Sequence, residues 1–225
     1  MEKRKDDAPD ELYIGLHGSP WHFYDAEYHV IEPEELADSV RQQGSAIKRV
    51  ILLSSWSGIA PTPNAKSPAQ RLSAALGGMP VEGQKGFVWF ASDGSVETTQ
   101  QAFTATVSGP YRVAQGGKVM ASLAIGWPYE FEDQIAAKKD ARGMLRAGVG
   151  FDVFMLCPER ALKTFEASAA LGDPVAAYNA AILRLERAGS GDMVAATALL
   201  NQAAAKGDKM AQSRLKALAQ SKRGQ

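Results

Sequence analysis

"LYIGLHGSPWHF", residues 12–23, is an apolar run that stops abruptly at His17-Gly18 and gives way to a polar, aromatic loop. Apolar residues without clean alternation are what a strand covered on both faces requires. A second run of the same kind, "RVILLSS", occupies 49–55. Between the two lies "EPEELADSVRQQG", residues 32–44, which carries the marks of a helix. Pro33 suits a first helical position, Glu34 and Glu35 suit the positive end of the dipole, and Leu36, Ala37 and Val40 form an apolar stripe that Gly44 ends. A strand, a helix and a second strand in this order argue for a layered α/β domain with a mainly parallel sheet.

The pattern continues downstream. "SPAQRLSAALGG" (67–78) predicts a helix with Ser67 as its cap, Pro68 in the first turn and Gly77 past its end. "GFVWFASDG" (86–94) predicts a strand and turn. Further strands are expected near 103–107, 119–125 and 150–156, with a helix within 130–146. From residue 158 prolines thin out, alanine becomes abundant and helical periodicity takes over, so two domains are expected, 1–157 and 158–225.

The second of these repeats itself. "ALKTFEASAALGDPVAAY" (161–178) lies over "ATALLNQAAAKGDKMAQS" (196–213) at an offset of 35 residues. Ala161 falls on Ala196, Phe165 on Leu200, Ala169 on Ala204, Gly172-Asp173 on Gly207-Asp208, and Ala176 on Ala211. Small residues let paired helices approach closely, and Gly-Asp turns the chain and caps the next helix. The segment resembles the Sel1-like repeats, helix hairpins related to tetratricopeptide repeats, and the resemblance implies a protein-binding role. Two repeats are fewer than usually stand alone, so they are expected to pack on the α/β domain through Val175, Tyr178, Ile182 and Leu183.

Composition narrows the function. The 225 residues are 45% apolar and 22% charged, enough to bury a sizeable core. Lys+Arg and Asp+Glu are equal at 25 each, which gives no field for nucleic acid or an anionic membrane. No apolar run approaches the ~20 residues of a membrane span. The charged start "MEKRKDDAPDE" is no signal peptide as it stands, which leaves the location open: cytoplasmic on this sequence, periplasmic if a leader preceded it. Cys157 has no partner for an internal disulfide and reads as a small buried hydrophobe. His17, His22 and His29 match no zinc spacing, so no metal and no cofactor is expected, and His22 and His29 read as exposed loop residues. No phosphate loop, dinucleotide fingerprint or Gly-x-Ser-x-Gly elbow occurs.

One place has the layout of an active site. Consecutive strands joined by a helix usually lie side by side with their C-terminal ends at one crevice. That would bring His17 to the hydroxyls of Ser54 and Ser55, as a base to a nucleophile. With the strand ending in His17-Gly18, the turn "LLSSWSG" (52–58) and "AQRLSAALG" (69–77), residues 12–90 resemble the caspase-like peptidase fold. The resemblance implies a three-layer sheet domain, His17 as general base, and Ser55 where the family carries its cysteine nucleophile. Serine is a far weaker nucleophile than a thiolate unless an oriented base activates it. Asp25 and Glu27 are candidates for the third group by proximity alone.

A fold retained with its chemistry lost is therefore the expectation. Trp21, Phe23, Tyr24 and Tyr28, with Trp56 at the same edge, then read as a protein-binding rim or as a lid folded over the vacated site. Degenerate enzyme-like domains joined to Sel1-like repeats resemble bacterial immunity proteins, which implies a secreted effector of type VI kind as the partner. Two other readings stand beside it: a Ser/His hydrolase using Ser55 and His17, and a scaffold in a secretion or envelope assembly. Oligomeric state is left open.

Overall fold

The computed structural model describes residues 9–90, 95–100 and 128–221. The chain divides into two compact units, one of Met1–Asp25 with Ile31–Arg112, the other of Ala26–Val30 with Val113–Gln225. The fold is mixed α/β, with sheets in the N-terminal part and packed helices in the C-terminal part.

In the first unit, β1 (Glu11–Ile14), β5 (Arg49–Leu52) and β6 (Val81–Glu82) form a parallel sheet in the order β1-β5-β6. The register sets Ile14 opposite Leu52 and Val50 opposite Val81. The crossovers are α1 (Pro33–Gln42) and α2 (Pro68–Ala75). Both form for the reasons written in their sequences. Pro33 opens α1, the Glu35 carboxylate accepts from the Glu32 N–H at 3.4 Å, and Leu36, Ala37 and Val40 are buried. In α2, Ser67 Oγ accepts from the Gln70 N–H at 3.2 Å while Gln70 Oε1 accepts from the Ser67 N–H at 2.9 Å, a reciprocal cap. Ile14, Phe23, Val50, Leu52, Ala69 and Leu72 join the α1 stripe in one core.

Shorter strands complete the unit. β2 (His17–Gly18) pairs antiparallel with β3 (Phe23–Tyr24), and β4 (Val30–Ile31), of which Ile31 belongs to this unit, is third in that sheet. β7 (Phe87–Phe90) pairs antiparallel with β8 (Val96–Thr99). The strands expected near 103–107 and 119–125 lie outside the described residues.

The second unit holds α3 (Pro128–Ala137), α4 (Ala141–Val153), α5 (Pro158–Ala170), α6 (Pro174–Arg187), α7 (Asp192–Ala205) and α8 (Lys209–Ser221). The 35-residue offset corresponds to α5–α6 against α7–α8. Equivalent positions are buried alike: Ala161 with Ala196, Phe165 with Leu200, Ala176 with Ala211. Val175, Tyr178, Ile182 and Leu183 are buried on α6. An aspartate caps each second helix. Asp140, Asp173 and Asp208 accept from the N–H groups of Gly143, Ala176 and Ala211 at 2.9, 2.9 and 2.8 Å. The third hairpin, α3–α4, precedes residue 158 and belongs to the same unit as the helices after it.

One expectation is corrected here. The strand expected near 150–156 does not form; α4 runs into that stretch as far as Val153. Every residue from Ala147 to Val153 is buried, so the helix is apolar on nearly all sides, and hydropathy alone cannot separate such a helix from a buried strand. Cys157 is half-buried rather than core, and its thiol is free.

Candidate functional site

The parallel ladder brings the two predicted site segments together. Leu53 N–H donates to the Ile14 carbonyl at 2.8 Å, and beyond it Leu16 N–H donates to Ser54 Oγ at 3.1 Å. His17-Gly18 therefore runs alongside Ser54-Ser55. A Cβ on Gly18 would stand 3.0 Å from the Ser55 carbonyl oxygen and 3.2 Å from Ser54 Cβ, so glycine is what permits the approach. His17 is partly buried, and burial pushes its imidazole below the ordinary value of 6.5, leaving it neutral at pH 7.

The turn that carries Ser55 is bonded into the fold on its inner side. Ser55 Oγ accepts from the Val88 N–H at 3.0 Å. The buried Ser57 hydroxyl donates to the Ser54 carbonyl at 2.7 Å and accepts from the Gln84 N–H at 3.0 Å. The next three amides are also committed: Trp56 to Gly86 O (2.9 Å), Ser57 to Ser54 O (3.3 Å) and Gly58 to Gln84 O (2.8 Å). An oxyanion hole needs N–H groups free to face the substrate, and these three are spent on the backbone. Trp56 itself holds φ 58°, left-handed and costly for a bulky residue. Its ring meets Phe87 edge-on at 5.3 Å.

The expected aromatic rim is corrected at Phe23 and Tyr24. Phe23 and Tyr24 are core residues, 1% and 0% exposed, because β3 is covered on both faces. They offer no contact area. Trp21 and Trp56 are half-buried in the first unit, while Tyr28 is buried in the second. His22 and His29 are not exposed loop residues either. His22 is buried with its N–H on Ser19 Oγ, and His29 is paired with Asp208. Among the described residues, no group of three or more His, Cys, Asp or Glu is placed to hold a metal, and no helix is long and apolar enough to cross a membrane. A groove of about 690 Å³ lies between α2 and β6, lined by Arg49, Lys66, Gln70, Ser73 and Glu82, with neither His17 nor Ser55 on its wall.

The second unit contains a cluster of polar contacts that the sequence reading missed. Residues Ala26–Val30 lie on the second helices of the hairpins. Arg142 of α4 donates to the Glu27 carbonyl at 3.1 Å, and the guanidinium carbons of Arg142 and Arg146 lie 5.5 and 5.9 Å from the centre of the Tyr28 ring. Asn179 of α6, fully buried, donates to the Tyr28 carbonyl at 2.7 Å and accepts from the Val30 N–H at 2.9 Å. His29 Nε2 lies 2.9 Å from Asp208 Oδ2 at the start of α8, and its ring meets Tyr178 edge-on at 5.7 Å. Burial works to raise the Asp208 pKa, but the His29 hydrogen bond, the Ala211 and Met210 amides and the His29 charge together hold it below its ordinary value.

A faint signal was available. Arg146, Asn179 and Arg214 each stand six positions after a capping aspartate, and Asn179 is polar within an otherwise apolar helix stretch. A second buried carboxylate organises the α6–α7 turn. Asp192 accepts from Arg184, from Arg187 and from the Gly189 N–H, and the Arg187 hydrogen bond above all holds its carboxyl far below the usual range.

Residues 1–98 match the model of a family described as a domain of unknown function (DUF8616), a span that contains the parallel sheet, His17 and Ser55. That is less than half of the 225-residue chain. No curated protein and no solved structure matches the chain significantly.

Proposed function

We propose that this chain is a non-catalytic protein-binding protein. In this reading a caspase-like α/β unit has lost its nucleophile and is joined to Sel1-like hairpins, and the whole acts as an immunity protein that binds and neutralises a secreted effector of type VI kind. The observation that carries the loss of chemistry is the Ser55 turn. Its hydroxyl accepts from Val88, and the three following amides point at backbone carbonyls. Binding by the helical unit is supported by three successive hairpins whose second helices are Asp-capped, the repeated layout of helical binding modules.

The test is affinity capture of the full chain from its host with effector systems induced, followed by co-expression with the captured protein. One stoichiometric partner whose toxicity is relieved by co-expression is the expected result. Several weak partners would instead favour a scaffold, and none would sink the reading.

Two observations favour a second reading, a Ser/His hydrolase. The strand of His17 lies against Ser54-Ser55, where burial pushes its imidazole below the ordinary value, and Trp56 beside Ser55 holds a left-handed backbone. A serine-reactive probe that labels wild-type protein, but neither Ser55→Ala nor His17→Gln, would establish it.

A further inference from the structure

We propose that Ala26–Val30 is a tethered ligand of the helical unit, and that the face made by α4, α6 and the start of α8 is a receptor for a turned peptide carrying an aromatic residue, then histidine, then an aliphatic one. This deepens the binding-protein reading and rests on it for the existence of an external partner with such a segment.

The contacts have the character of ligand recognition. Four consecutive residues reach all three hairpins: Glu27 and Tyr28 touch α4, Tyr28 and Val30 touch α6, and His29 touches α6 and the cap of α8. Three of the bonds read backbone atoms of the segment through side chains of the helices. Such bonds do not depend on covalent continuity, so a separate chain can make them. Side-chain specificity comes from the Tyr28 ring under two guanidinium groups and from His29 between Asp208 and Tyr178. Asn179 is fully buried and has both ends of its carboxamide on the segment, so an empty receptor would strand a polar group. Tyr28 is held at φ 73°, a conformation that a tyrosine adopts only when its surroundings impose it.

A tethered ligand competes at an effective concentration on the order of millimolar, so the wild-type receptor is nearly closed to a free peptide. The experiment uses the full chain and a fluorescein-labelled peptide of residues 25–32, read by anisotropy. Tyr28→Ala/His29→Ala weakens the internal ligand. That variant is expected to bind the peptide at least tenfold more tightly than wild type, and adding Asn179→Ala is expected to abolish the gain. Hydrogen exchange at 28–30 is measured alongside. If the amides exchange faster in the variant and the peptide still does not bind, the proposal is wrong. It is equally wrong if exchange stays protected, or if Asn179→Ala leaves peptide binding intact. Should the double variant fail to fold, His29→Ala alone takes its place with the same expected outcomes. An effector that binds the Asn179→Ala chain as well as wild type would overturn this inference and leave the proposed function standing, whereas peptide binding without any effector would do the reverse.

Discussion

Gly148 of α4 faces the ring of Phe165 on α5: a Cβ there would stand 2.4 Å from Cε1 and 2.5 Å from Cδ1. Two effects oppose each other in Gly148→Ala. Helix propensity favours alanine by about 1 kcal/mol. Against it, Phe165 is fully buried and cannot swing away, and overpacking a core costs about 1–3 kcal/mol. The clash wins. The variant is expected to lose up to about 2 kcal/mol in urea unfolding, and a raised midpoint would mean that the ring yields.

Ser55→Ala separates a structural hydroxyl from a catalytic one. Losing the acceptor leaves the Val88 N–H unpaired in a partly buried turn, at a cost of about 1–2 kcal/mol. The expected outcome is this loss of stability with partner binding unchanged. A variant as stable as wild type would show that the bond contributes nothing.

The neutral imidazole of His17 makes the fold sensitive to mild acid. Below its ordinary value of 6.5 the unfolded chain takes up a proton that the folded chain resists. Stability is therefore full above that pH and falls as pH drops through the lower folded value. Urea midpoints measured from pH 7.5 to 5 should decline in wild type and decline less in His17→Gln. Parallel slopes would exclude His17 as the source.

Asp192 works in a lower window. Its carboxyl is held far below 3.8 by Arg187 first, against the opposing effect of burial, and further by the Gly189 amide and Arg184. The stabilisation is complete above the ordinary value and is lost as pH falls towards the folded one. Asp192→Asn should melt earlier than wild type at pH 7, with the gap narrowing as acid protonates the wild-type carboxylate. Thermal melts at pH 7, 4 and 2.5 test this, and a constant gap would assign the loss to packing instead.

What the sequence determined by itself was local. Pro33 and the Ser67–Gln70 cap fix the two crossover helices through contacts within a few residues, and the crossovers imply the parallel pairing of β1 with β5 that sets Gly18 against Ser55. The 35-residue echo likewise marks α5 to α8, since equivalent positions meet equivalent neighbours. The rest was decided by contacts that no local pattern encodes. Residues 150–153 are helical and buried in a helix that Gly148 lets approach Phe165 of the next one. Phe23 is interior because it joins the first core, and Tyr24, on the opposite face of the same strand, is buried as well. Residues 26–30 belong to the helical unit because Asn179 accepts from an N–H 149 positions away in the chain. Hydropathy records that a residue avoids water, while the identity of whatever excludes the water is set only when distant segments meet.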